Sequence, residues 1–141
     1  MNRVVLDTSV VAAGLRSRTG ASNVVLRLVA ERELVPLATP SLFLEYEDVL
    51  KRPEQRLGHG LGLAEIDRFL AALASAVEPV EVHFRWRPQL ADPADELVLE
   101  AAVNGRADSL LTHNLRDFAG VAERFGIRVL RPGEFLQART S

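Results

Sequence analysis

Asp7 stands immediately after the apolar run Val4-Val5-Leu6, and Thr8 and Ser9 come directly behind it. A carboxylate in that position projects from the end of a buried strand. All three residues are also helix-capping types, but three in a row exceed what one helix start needs. Two further segments bring acids to comparable places. Asp92-Pro93-Ala94-Asp95-Glu96 opens a helical pattern, and Thr112-His113-Asn114-Leu115-Arg116-Asp117-Phe118 comes after another apolar run. In the first, Asp92 suits an N-cap, Pro93 the first helical position, and Asp95 the position of a capping-box carboxylate. Such a dense group of acids is also costly unless a cation neutralises it. In the second, Asn114 and Asp117 equally suit a turn or a short helix start. A fourth region is more ambiguous: Glu45 and Glu47 border opposite sides of the apolar face of a helix from Ser41, and Asp48 points further out. Helical geometry alone does not choose between them.

The donors available at these places are oxygens: carboxylates, hydroxyls and one amide. Such a set suits Mg²⁺ or Mn²⁺ rather than zinc. A site of that kind can lower the pKa of a coordinated water and stabilise both the attacking and the leaving oxygens of a phosphodiester. Other chemistries fit badly. The chain has no cysteine, which excludes disulfides and thiolate metal sites. No serine sits in a nucleophile-elbow sequence. His59, His83 and His113 lack metal-ligand spacing, and the Gly58 to Gly62 stretch lacks the Lys-Ser/Thr of a phosphate-binding loop.

Net charge is −2, so no overall basic field announces nucleic acid. Of 17 basic residues, Lys51 alone is Lys. Arg makes bidentate phosphate contacts, but a GC-rich coding sequence explains the same bias. Trp86, between Arg85 and Arg87, is a candidate for base stacking or for a plain surface anchor. No apolar run approaches the roughly 20 residues of a membrane span, and Val4-Val5-Leu6, stopped by Asp7, is too short for a signal peptide. The expectation is a soluble, cytoplasmic protein.

These residues need elements to position them. The 141 residues fit one domain, spanning 1–141, without repeats or linkers. Strands are expected at Arg3–Leu6, Leu34–Ala38, Val77–Val82, Ser109–Thr112 and Ile127–Leu130. Helices are expected from Val10, at Ala21–Glu31 with Val24, Val25, Leu28 and Val29 inward, and from Ser41 with Leu42, Tyr46, Val49 and Leu50 inward, ending at Pro53. Others are expected at Leu63–Ala76, with Ile66, Phe69, Leu70 and Leu73 inward, at Asp95–Asn104, closed by Gly105, and at Pro132–Gln137. Arg56 to Gly62 reads as a glycine-punctuated, flexible loop. Strand–helix alternation implies a parallel sheet covered on both faces, with right-handed crossovers. The site of such a sheet lies beyond the carboxyl ends of its strands, where strand order reverses.

Three segments together resemble a known family. Val4-Val5-Leu6-Asp7-Thr8-Ser9-Val10, Ser41 to Leu50, and Asp92 to Ala102 with Ala107 to Asn114 and Asp117-Phe118 resemble the PIN domain, in the branch that supplies the toxins of toxin–antitoxin pairs. The resemblance covers nearly the whole chain. It implies a three-layer α/β/α fold with a central four- or five-stranded parallel sheet. It implies that Asp7, Glu45, Asp95 and Asp117 form an acidic cluster for Mg²⁺ or Mn²⁺, selecting Glu45 over Glu47, with Asp92 or Glu96 as the alternatives to Asp95. Thr8 or Ser9, Thr112 and Asn114 would be polar accessories. The branch often has an acid where Ala94 stands here. The implied activity is endonucleolytic cleavage of single-stranded or structured RNA, by a homodimer neutralised by a small antitoxin protein. Arg16, Arg18 and Arg116 are candidates to hold the RNA backbone.

Two other functions compete. A phosphohydrolase or receiver-type domain would use Asp7 as phosphoryl acceptor, but needs a Lys near the acids, and Lys51 lies about two turns beyond Glu45. An RNA- or protein-binding module with a weakened site fits Ala94 and the negative net charge.

Overall fold

β1 (Asn2–Leu6) is the central strand of an all-parallel sheet in the order β3-β2-β1-β4-β5, where β2 is Leu34–Ala38, β3 Glu78–Pro79, β4 Ser109–Leu111 and β5 Arg128–Leu130. The computed structural model describes residues 2–84, 89–118 and 120–140. Val4, Val5 and Leu6 are buried, as are Leu110 and Leu111 of β4. Continuous apolar strands are what a parallel sheet covered on both faces requires. The connections are α1 (Thr8–Arg16), α2 (Ala21–Ala30), α3 (Pro40–Leu50), α4 (Pro53–His59), α5 (Leu63–Ala76), α6 (Pro93–Asn104), α7 (Leu115–Phe118) and α8 (Val121–Arg124); α9 (Pro132–Thr140) closes the chain.

From β1 the chain steps outward to β2 and β3, then returns across the sheet to β4 and β5. Right-handed crossovers therefore place α1 to α5 on one face and α6 to α8 on the other. The packing agrees: α2 lies against α1, α5 and α9, whereas α6 lies against β1, β2 and β4. The architecture is three-layer α/β/α. α3 touches both α1 and α6, so it joins the two layers beside the carboxyl end of β2. The reversal of strand order falls between β1 and β4.

Four expectations change. Arg56 to Gly62 is not a loop as far as His59: it belongs to α4, which starts with Pro53 at the first turn and ends on Gly60 at φ 72°. Pro at the start and a left-handed Gly at the end are the punctuation of a short helix. His59 fixes the turn out of α4, its ring pairing with the Leu50 carbonyl at 3.1 Å and accepting from the Leu61 amide at 3.0 Å. The third strand shrinks from Val77–Val82 to Glu78–Pro79, because the side-chain carbonyl of Asn104 captures the amides of His83 and Phe84 at 2.9 and 2.7 Å and turns the chain away. On α2 the buried face is Ser22, Val25, Leu26 and Val29, with Val24 and Leu28 half-buried. Leu26 turns inward because Gly14 of α1 leaves room for it; a Cβ there would lie 2.4 Å from Leu26 Cδ1. On α3 and α5, Val49 and Phe69 are half-buried rather than fully inward. The short helices α7 and α8 are additions. Trp86, with Arg85 and Arg87, lies outside the described residues. Among the described residues no helix is long and apolar enough to cross a membrane.

Candidate active site

Register brings Asp7 and Thr112 together. Leu6 of β1 pairs with Leu111 of β4, so the next residues leave adjacent strand ends side by side. The Asp7 amide donates to the Leu111 carbonyl at 2.9 Å, and the Thr112 hydroxyl donates to Asp7 Oδ2 at 2.7 Å. Ser9 Oγ donates to the same oxygen at 2.8 Å. Asp7 occupies the N-cap position of α1, yet its carboxylate bonds no backbone amide there. The side chain is 6% exposed, and it spends one oxygen on two hydroxyls. A buried carboxylate needs such donors. Thr112, fully buried, also accepts from the Asn114 amide at 2.9 Å, while the Asn114 carbonyl accepts from the Asp117 amide at 3.0 Å to start α7. Buried Phe118 anchors that turn and Asp117 stays exposed. Thr8 is half-buried at the start of α1.

The acids of α6 divide their work. Asp92 caps the helix by accepting from the Ala94 amide at 2.9 Å, with Pro93 next to it. Glu96 reaches back to the amides of Gln89 and Leu90. The Asp95 side chain makes no hydrogen bond among the described residues. Its carboxyl is pushed up to about 6 by burial first, then by the charges of Asp7, Asp117, Asp92 and Glu96. Those causes place Asp7 and Asp117 each within electrostatic reach of Asp95.

The acids of α3 divide similarly. Glu47 pairs with Lys51 at 2.9 Å, and Lys51 also holds Asp67 of α5 at 2.7 Å. Asp48 pairs with Arg52 at 2.7 Å. Glu45 is in no ion pair among the described residues, and burial, Asp48 and Asp92 raise its carboxyl while Arg52 opposes them. Glu45 thus faces the Asp92 end of α6, not the flank that Glu47 occupies, and none of Asp7, Asp95 and Asp117 is among the charges that shift it. Tyr46, next to it, is 2% exposed and donates its hydroxyl to the Leu6 carbonyl. That bond ties α3 to the end of β1, and burial with the nearby charge of Asp7 holds the phenol protonated. Tyr46 was legible as core, but its bond to the strand that delivers Asp7 was not.

His113 is a second residue that spacing did not single out. Its Nε2 pairs with buried Ser22 Oγ of α2 at 2.7 Å, and its amide donates to Ser9 Oγ at 3.3 Å. Burial lowers its pKa, Asp7 opposes that, and Arg16 and Arg131 add to it, so the ring is neutral at pH 7. Arg16, Arg18 and Arg116 are exposed, and none is in an ion pair among the described residues.

The donor chemistry fits a hard divalent cation: carboxylates with mutual repulsion to relieve, and one oxygen of Asp7 left open by its hydroxyl partners. Among the described residues, however, no three His, Asp or Glu side chains close in as a metal-holding group; the coupling of Asp95 to Asp7 and to Asp117 is longer in range than coordination.

Fold and site together define a parallel α/β domain with a buried carboxylate, Asp7, at its switch point and Asp95 within electrostatic reach of it. The PIN domain signature matches residues 3–116, and the chain belongs to the PIN-domain family. That fold is of nuclease type; PIN domains generally hydrolyse nucleic acid and typically use divalent metals. The match includes Asp7, Glu45 and Asp95 and ends one residue before Asp117. No curated protein was found to match the chain.

Proposed function

We propose that this protein is a Mg²⁺- or Mn²⁺-dependent endoribonuclease of the toxin type, in which Asp7, Glu45, Asp95 and Asp117 would hold the cation. The observation that carries the reading is the position of Asp7, buried at the switch point, with Asp95 raised to about 6 by its burial first and then by the charges of Asp7 and Asp117. A bound divalent cation supplies positive charge that neutralises these carboxylates and stabilises charge developing on a phosphodiester. Ser9 and Thr112 keep the Asp7 carboxylate oriented by donating to it. Asp95 holds a proton below about pH 6 and releases it above, so cation affinity should fall as pH drops through that value. Lys51, bound to Glu47 and Asp67, is not placed to serve a phosphoryl-acceptor mechanism at Asp7.

The proposed setting is cytoplasmic, with an RNA substrate, a homodimeric assembly and a small antitoxin partner. Cleavage of a panel of RNAs with Mg²⁺ or Mn²⁺, beside Asp7→Asn, tests the activity. A folded, dimeric wild type that cuts nothing, or an Asp7→Asn variant that cuts equally well, refutes it. A neighbouring reading frame encoding a small DNA-binding protein would support the toxin role.

One observation favours a second reading, an RNA- or protein-binding module with little nuclease activity: no three acids close in as a metal-holding group among the described residues. Calorimetric titration with Mg²⁺ separates the two, since a pure interaction module has no need to bind the cation at the acids.

A further inference from the structure

A groove of about 440 Å³ opens beside Asp7, within the size range of small-ligand sites. It begins at Ser9, whose hydroxyl is bonded to Asp7, and runs along α1 to Arg16, with Gln55 of α4 and Asn114 and His113 on its other sides. Its charge is distinctive. Arg16 lines it, no acid does, and Arg16 is in no ion pair among the described residues. An unpaired guanidinium thus lines the same groove as Ser9, the residue whose hydroxyl holds Asp7.

Arg16 is also bedded. Its stem lies on Gly58 of α4, where an added Cβ would be 3.2 Å from Arg16 Cδ. The helix that was expected to be a loop therefore supplies both the surface under Arg16 and Gln55 next to it. His113 is held from behind by Ser22 and is neutral at pH 7, so it offers hydrogen bonding without a second charge. Ala13 and Val49 give the groove an apolar side. One cation, several neutral polar groups and an apolar side match one nucleotide unit: phosphate, sugar and base. Bases accessible to such contacts belong to single strands.

We propose that this groove seats the nucleotide adjacent to the scissile phosphate of a single-stranded RNA, with Arg16 on its phosphate and Gln55 on its sugar or base. The proposal rests on the nuclease reading above and adds the positioning of the substrate. Arg16 and Gln55 are positioning residues.

Steady-state cleavage of a short single-stranded RNA tests it, with an anisotropy binding measurement in the Asp7→Asn background as a second readout. Arg16→Ala should raise KM and Kd about tenfold, the worth of one charge-assisted contact, with kcat within about twofold. It should also lower the slope of log kcat/KM against log salt by about 0.7, the signature of one lost phosphate contact on a single strand. Gln55→Ala should raise KM about threefold and leave that slope unchanged. Gly58→Ala should raise Tm, because Ala favours the helix, yet raise KM about twofold, an effect absent in the Arg16→Ala background if the two act as a unit. Wild-type cleavage with unchanged KM and salt slope in Arg16→Ala overturns this proposal alone. A wild type that neither binds nor cuts RNA overturns it together with the nuclease reading.

Discussion

Replacing Asp95 by Asn removes one charge from a place where the protein already holds too many. The Asp95 carboxyl is raised from 3.8 to about 6 by burial and by Asp7, Asp117, Asp92 and Glu96. A group whose pKa is higher folded than unfolded binds more protons in the native state between the two values, so stability falls as pH rises. The stabilising effect of the proton is complete below about 3.8 and lost as pH rises through about 6. For a fully buried group, that difference is worth about 3 kcal/mol. Asp95 is only half-buried, so solvent screening reduces it to about 1 kcal/mol. The favourable helix-dipole interaction of an acid in the first turn of α6, about 0.5 kcal/mol, is lost with the charge and trims the gain further. Asp95→Asn should therefore be more stable than wild type by about 0.5 kcal/mol at pH 8, an increase of roughly 1–3 °C in Tm. The two proteins should converge by about pH 4, where wild-type Asp95 is protonated. Thermal unfolding in EDTA, scanned from pH 4 to 8, measures this without competition from metal. Adding Mg²⁺ at pH 8 should then stabilise the wild type more than the variant. An Asp95→Asn protein no more stable than wild type at pH 8, or a difference independent of pH, would show that these carboxylates do not crowd one another.

Three other substitutions probe the supports of the site. Thr112→Val preserves shape but removes the donor to Asp7 and the acceptor for the Asn114 amide; it should cost about 2 kcal/mol in urea unfolding and weaken Mg²⁺ binding. Tyr46→Phe leaves the Leu6 carbonyl without its phenol donor and should cost about 1–2 kcal/mol by the same measurement. Gly105→Ala would put a Cβ 2.8 Å from the Ala101 carbonyl and 2.9 Å from Val80 Cγ2, so it should lower stability by about 1–3 kcal/mol through overpacking, seen as a lower Tm with the RNA-cleaving activity of the surviving folded fraction unchanged.

The parallel sheet was legible because β1, β2 and β4 are short apolar runs buried on both faces, a local property that tertiary context reinforces. α4 was hidden by its glycines. Gly58 lies inside the helix and Gly60 ends it, and composition alone does not separate a glycine that a neighbour needs from one that breaks a helix. β3 failed the other way: Val80 and Val82 have strand character, but the Asn104 side chain, 21 residues from His83, takes the backbone elsewhere. No local pattern encodes a bond of that range.

The site shows the same division between inventory and assignment. Sequence supplies the acids near the carboxyl edge of the sheet but not their competing duties. Asp92 and Asp95 both suit a helix start, and Glu45 and Glu47 both border one helix face. Partners decide between them. Asp92 caps α6, Glu96 holds the chain before it, Glu47 goes to Lys51 and Asp48 to Arg52. Glu45 and Asp95 are left without a hydrogen bond or ion pair among the described residues, and both have raised carboxyls. A protein that only needed solvated or capping acids would gain nothing by leaving these two half-buried and unpaired, since each costs free energy in the absence of a counter-charge. That cost is recovered when a cation arrives, which is why the unpaired acids, rather than the more numerous paired ones, support the proposed metal site.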